Sequence, residues 1–146
     1  MITWQNEFEN NAEGTFKSKF FRNDEHGYEF SICVNDIALK DCAEKCIDSF
    51  DNLPEKVIAE ICQMLIECAQ TEGAEEGFEL PELDNKIDIL KYCWFNNLYV
   101  DMAGENDEIA YVVEGEGDWG LPVGFVIRNN QVVYAGGDYL DYIQNV

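Results

Sequence analysis

The chain has 146 residues, 47% of them hydrophobic and 13% aromatic, enough to build one domain with a substantial core; this excludes a disordered chain. Thirty Asp and Glu face nine Lys and Arg, a formal net charge of −21. A surface this negative repels nucleic acid and the anionic face of a membrane, so the macromolecules it attracts are basic proteins.

The first 35 residues read as a β-meander. Thr3 to Phe8 is a first strand, and Thr15 to Phe21 a second with Phe16, Ser18 and Phe20 on one face. Asn23-Asp24-Glu25-His26-Gly27 has turn composition. Tyr28, Phe30, Ile32 and Val34 then alternate with Glu29, Ser31, Cys33 and Asn35, the period of a half-buried strand.

Asn35-Asp36 is a helix-start signal, followed by Leu39, Cys42, Ala43, Cys46, Ile47 and Phe50 at helical spacing. This predicts an amphipathic helix over Leu39–Phe50. Pro54 opens a second helix as a first-position proline, running to Thr71. That helix is apolar around most of its circumference, which predicts burial between a sheet and another helix. Glu72 to Glu82 reads as an acidic loop. Leu83, Ile87, Leu90 and Trp94 fit a short third helix.

Four strands close the chain: Asn97–Met102, Glu108–Glu114, Leu121–Arg128 and Gln131–Ala135. Asn129-Asn130 is a two-residue hairpin turn, because asparagine tolerates positive φ. Strands, then helices, then strands predict a single α+β domain over 1–146. Its antiparallel sheet has five to seven strands, with two to three helices packed on one face. Phe30, Ile32, Ile47, Ile61, Leu65, Val123 and Phe125 should be among the most buried residues.

The six cysteines fall at apolar positions of these elements, except Cys33, which faces outward from its strand. No C-x-x-C pair occurs and His26 is the sole histidine, so the cysteines read as reduced core residues rather than metal ligands or disulfides. No signal-like or membrane-spanning apolar run is present, which places the expectation in the cytoplasm.

No motif fixes a chemistry, and no cofactor is expected. The glycines from Gly115 to Gly137 form no phosphate loop, and Asp101–Glu108 lacks the order of a calcium loop. A small hydrolase using carboxylates or a Cys–His pair with His26 stays open as an alternative, as does a housekeeping domain whose acidity serves only solubility. The acids are unevenly spread. Asp41 to Asp88 carries fourteen against Lys45, Lys56 and Lys86, and Asp101 to Val146 carries nine against Arg128.

The most suggestive segment is Glu114-Gly-Glu-Gly-Asp-Trp-Gly120, three acids beside one tryptophan between two strands. A cationic partner engages such a cluster by ion pairing and cation–π contact. The expected partner surface is Glu105, Asp107, Glu108, Glu114, Glu116 and Asp118, with Trp119 as anchor. The bland alternative is that Trp119 packs over the sheet while the glycines make a turn.

The stretch Trp119-Gly-Leu-Pro-Val-Gly-Phe-Val-Ile-Arg-Asn-Asn-Gln-Val-Val-Tyr-Ala-Gly-Gly-Asp138 resembles one in small acidic bacterial proteins of unknown function. Those proteins place a tryptophan and a glycine before a strand, then an Asn- or Asp-containing turn, a second strand and a glycine-aspartate ending. Several look like immunity proteins encoded beside secreted toxins. Pro122 departs from the pattern. The resemblance implies a basic toxin as partner and supplies no catalytic residue.

Overall fold

The computed structural model describes residues 2–18, 28–101 and 109–142. Among the described residues seven strands form one sheet in the order of the chain: β1 Thr3–Glu7, β2 Ala12–Ser18, β3 Tyr28–Val34, β4 Cys93–Val100, β5 Ala110–Gly117, β6 Pro122–Arg128 and β7 Gln131–Gly136. Every neighbouring pair is antiparallel except β3 and β4, which run parallel. The two strand blocks thus join at a parallel seam. The long connection between them makes this possible, since parallel neighbours need a crossover.

That crossover holds the helices. A 3₁₀ turn over Ile37–Cys42, with Asp36 accepting from the Ala38 N–H at 3.0 Å, leads into α1, Ala43–Asp51. Pro54 precedes α2, Glu55–Cys68, as its N-cap with φ −59° and ψ 147°, one position earlier than expected. A π-helical turn over Ala69–Gly73 extends α2. The third helix expected from Leu83, Ile87, Leu90 and Trp94 is a 3₁₀ turn over Lys86–Lys91, and the chain enters β4 at Cys93. Strand pairing with β5 from Cys93 onward captures Trp94, so its helical spacing with Leu90 is coincidental. The strand expected from Thr15 begins at Ala12. Its predicted end at Phe20 and Phe21, the 23–27 turn and Met102 lie outside the described residues.

One face of the sheet carries Phe16, Phe30, Ile32, Val34, Leu98, Tyr111, Val113 and Phe125. These pack with Ile47, Phe50, Ile61 and Leu65 of the helices. All seven residues expected to be most buried are 3% exposed or less. Phe50 sits among Phe16, Phe30 and Tyr111, with ring centroids 5.3–6.3 Å apart and edges turned to faces. α2 is not wrapped all round: Ala59, Glu60 and Glu67 stay exposed while Val57, Ile61, Cys62, Leu65 and Cys68 are buried.

The hairpin between β6 and β7 turns on Asn129 and Asn130, both at positive φ (52° and 63°), which matches the twist of its strands. None of the six cysteines is bonded to another. The thiols of Cys46, Cys68 and Cys93 are pushed up to about 12 and that of Cys62 to about 11, chiefly by burial.

Candidate functional site

The helices cover one face of the sheet, so exposed chemistry collects on the other. Glu114 and Glu116 alternate onto this open face from β5, while Gly115 and Gly117 point toward the helices. Gly115 has no room for a side chain: a Cβ there would lie 1.9 Å from the Trp94 carbonyl oxygen, because β4 bulges between Phe95 and Asn97 and crowds β5.

Trp119 is 7% exposed. Its ring lies on Gly117, where a Cβ would come within 2.5 Å of Cε2 and Cζ2, and it packs against Gly73 and Phe78. Gly120, at φ +85°, closes the turn that sends it there. The ring expected to stand outward as an anchor is therefore folded beneath the turn. Two glycines leave an indole-sized seat, and filling it removes a large apolar area from water. Asp118 stays exposed, and Glu105, Asp107 and Glu108 lie outside the described residues. Since β5 is flanked by β4 and β6, Glu114 and Glu116 face outward across the sheet and do not lie along an edge.

Glu114 is the centre of a polar network. Its Oε1 accepts from Asn97 Nδ2 at 2.5 Å and its Oε2 from the Tyr139 hydroxyl at 3.1 Å. The Cys33 thiol donates to Asn97 Oδ1 at 3.5 Å. Strand register explains the meeting: Asn97 is the cross-strand partner of Glu114, and Cys33 lies on the other neighbour of β4. Around them Gln5, Glu13, Glu29, Ser31 and Asn96 complete a shallow basin of about 490 Å³.

Tyr139 comes from a C-terminal 3₁₀ turn, Tyr139–Tyr142, that folds over the β5–β7 half of the open face. Its ring lies on Gly124 and joins Val112, Val126, Tyr99 and Tyr134 in a second small apolar cluster. Arg128 Nη2 donates to the Tyr142 carbonyl at 2.7 Å, and the Tyr134 and Tyr142 rings stack at 4.5 Å. Burial, then the charge of Glu114 and its hydrogen bond, push the Tyr139 phenol up to about 12. At neutral pH it stays a donor to the carboxylate.

Trp94 is the residue sequence reasoning missed. Read as the end of a helix, it instead stands on the open face in register with Glu116 and is 45% exposed. The signal was present in Cys93-Trp-Phe-Asn-Asn-Leu-Tyr-Val100: two inward alternations, Cys93/Phe95 and Leu98/Val100, separated by one extra asparagine.

The nucleophile candidate of this basin is the Cys33 thiol. Burial and the charges of Glu13 and Glu114 raise the Cys33 thiol, against the lowering by Asn97. A protonated thiol is a weak nucleophile. His26 lies outside the described residues. A second basin of about 390 Å³ lies by Lys45, Ser49 and Asn130, where the Ser49 hydroxyl is held by Asn130 and by the Tyr111 hydroxyl at 2.9 Å. Among the described residues no group of three or more His, Cys, Asp or Glu is arranged to hold a metal ion. Nor is any described helix long and apolar enough to cross a membrane.

Comparison with curated proteins and with solved structures gives no significant match. A family profile does match, over residues 3–142, described as a domain of unknown function, DUF6985. The match spans all seven strands, both helices and the Tyr139 turn, and the chain belongs to the DUF6985 family.

Proposed function

We propose that the chain is an acidic protein-binding module that engages a basic protein across its open sheet face. An immunity protein covering a basic toxin is the form the C-terminal resemblance favours. The observation that carries the reading is the charge of that face. Glu13, Glu29, Glu114 and Glu116 rise from it, and the cations its strands contribute among the described residues are Lys17 and Arg128. Lys17 faces Glu29 directly across β2 and β3, and Arg128 is turned to the Tyr142 carbonyl. Among the described residues no cation is paired with Glu116 at the Trp94 end, and such an acid raises the association rate of a basic partner and sets its orientation.

The test is capture from the native host with the full chain as bait, at low salt and again at high salt. A basic protein retained at low salt and released at high salt, which then binds the chain in purified form, is the expected result. Failure to retain any basic protein at low salt refutes the reading. The hydrolase alternative would need the His26 imidazole beside Cys33 or a pair of displaced carboxylates; His26 lies outside the described residues, and Asp51 is a carboxylate that burial raises.

A further inference from the structure

Resting on the acidic-module reading, we infer that the Trp94–Glu116 pair on the open sheet face is a seat for an arginine side chain of the basic partner. Trp94 and Glu116 are opposed residues of β4 and β5, and both point away from the helices. Side chains in that relation stand about 4.5–5.5 Å apart at Cβ, so a flat cation on the indole face lies within reach of the carboxylate. Trp94 is 45% exposed, unusual for a tryptophan on a strand, and Glu116 is exposed beside it. Pro122, also exposed, continues the row on β6, and the Asn96–Asn97 bulge offers amide groups on the other side.

The chain contains the same trio already filled. Lys40 Nζ lies 5.0 Å from the centroid of the Trp4 ring and pairs with the Glu7 carboxylate. A tryptophan, an acid and a cation thus assemble within the molecule at β1. At β4 and β5 the tryptophan and the acid stand together, and among the described residues no cation is placed over the ring. Arginine fits this seat better than lysine. Its guanidinium is planar, stacks flat on an indole and donates to a carboxylate through two parallel N–H groups, whereas an ammonium such as that of Lys40 meets ring and acid only as a point charge, with no stacked plane and no paired donors. Tyr139 closes the neighbouring half of the open face, and the Trp94 end stays uncovered by it.

The test uses the full chain with two probes of equal charge, a nine-residue arginine peptide and a nine-residue lysine peptide, titrated calorimetrically at physiological salt. The arginine peptide should bind about five- to ten-fold more tightly. Trp94→Ala should remove that preference while leaving lysine-peptide affinity within about two-fold, and Trp94→Phe, which keeps an aromatic face, should retain most of it. The Trp94 indole N–H resonance, assigned by its loss in Trp94→Phe, should shift with the arginine peptide while that of Trp119 does not. Unfolding midpoints matching the parent's show that an exposed side chain has been changed without loss of fold. Equal binding of the two peptides, or a preference that survives Trp94→Ala, overturns this inference alone. Absence of binding by either peptide, at low salt as well, overturns the acidic-module reading with it.

Discussion

Gly117→Ala tests whether Trp119 is internal packing. The added Cβ would lie 2.5 Å from Cε2 and Cζ2 of Trp119, roughly 1 Å short of ordinary carbon–carbon contact. The ring cannot slide away to make room. Gly73 lies on it from the α2 extension, and Phe78 packs against it with centroids 5.5 Å apart. Overpacking of this kind costs about 1–3 kcal/mol, and the upper half of that range is expected because the ring is held between these neighbours. Trp119→Ala should cost about 3–5 kcal/mol by removing a large buried side chain. In the Trp119→Ala background, Gly117→Ala should cost less than about 0.5 kcal/mol, because the atoms it would strike are gone. Urea unfolding of the four proteins of this cycle measures the coupling. If Gly117→Ala costs the same in both backgrounds, or nothing in the parent, the indole is not seated on Gly117 and the placement of Trp119 fails.

Two further outcomes are expected. Thiol labelling of the native protein at neutral pH should modify Cys33 and Cys42, which are partly exposed, well before Cys46, Cys62, Cys68 and Cys93, which react only on unfolding; rapid native labelling of all six would contradict the burial of the four. Tyr139→Phe should reduce stability by about 1–2 kcal/mol at neutral pH through loss of the hydrogen bond to Glu114. The Tyr139 phenol is raised in the fold from 10 to about 12, so its contribution is full below pH 10 and is lost as pH rises through about 12. Chemical-denaturation curves between pH 9 and 12 should therefore converge for parent and variant, and a constant gap would show that burial and Glu114 do not hold the Tyr139 phenol protonated in the fold.

Much of the fold was legible because its signals are local. Phe30, Ile32 and Val34 alternate with polar residues, Ile47 and Phe50 share one helical stripe, and Asn129-Asn130 accepts the dihedrals of a tight turn. The features that escaped depend on pairing at a distance. The parallel seam of β3 and β4 is set by the crossover as a whole. Trp94 matched a helical period with Leu90 by accident, and the bulge at Asn96 and Asn97 hid the strand it belongs to. Of the site, Glu114 and Glu116 could be read as neighbouring acids, but the depth of Trp119 depends on Gly73 and Phe78, which the sequence places in an unrelated loop. Tyr139 lies beyond the glycines that end β7, and nothing local says that the chain turns back over Gly124.

Whether the acidity works as a patch or only as a total can be decided with charge-matched variants, and the structure determines which acids to use. Glu114 is a poor choice, because its carboxylate holds Asn97 and Tyr139 and its loss would mix folding with charge. Glu13, Glu116 and Asp118 are exposed, and Glu13 and Glu116 stand on the open face. Glu60, Glu67 and Asp48 are exposed on the helices, across the sheet from it. Replacing either trio with Gln or Asn changes the formal charge by the same amount. Exposed charges act over about 8 Å at physiological ionic strength, so a partner docking on the open face barely senses the helical trio. The open-face variant should slow association with the captured basic partner at least several-fold and flatten its salt dependence, with a faster dissociation from the loss of Glu116 at the arginine seat. The helical variant should stay close to the parent. Equal slowing by both trios would mean that total charge alone attracts the partner, and the open face would then have no special claim to it.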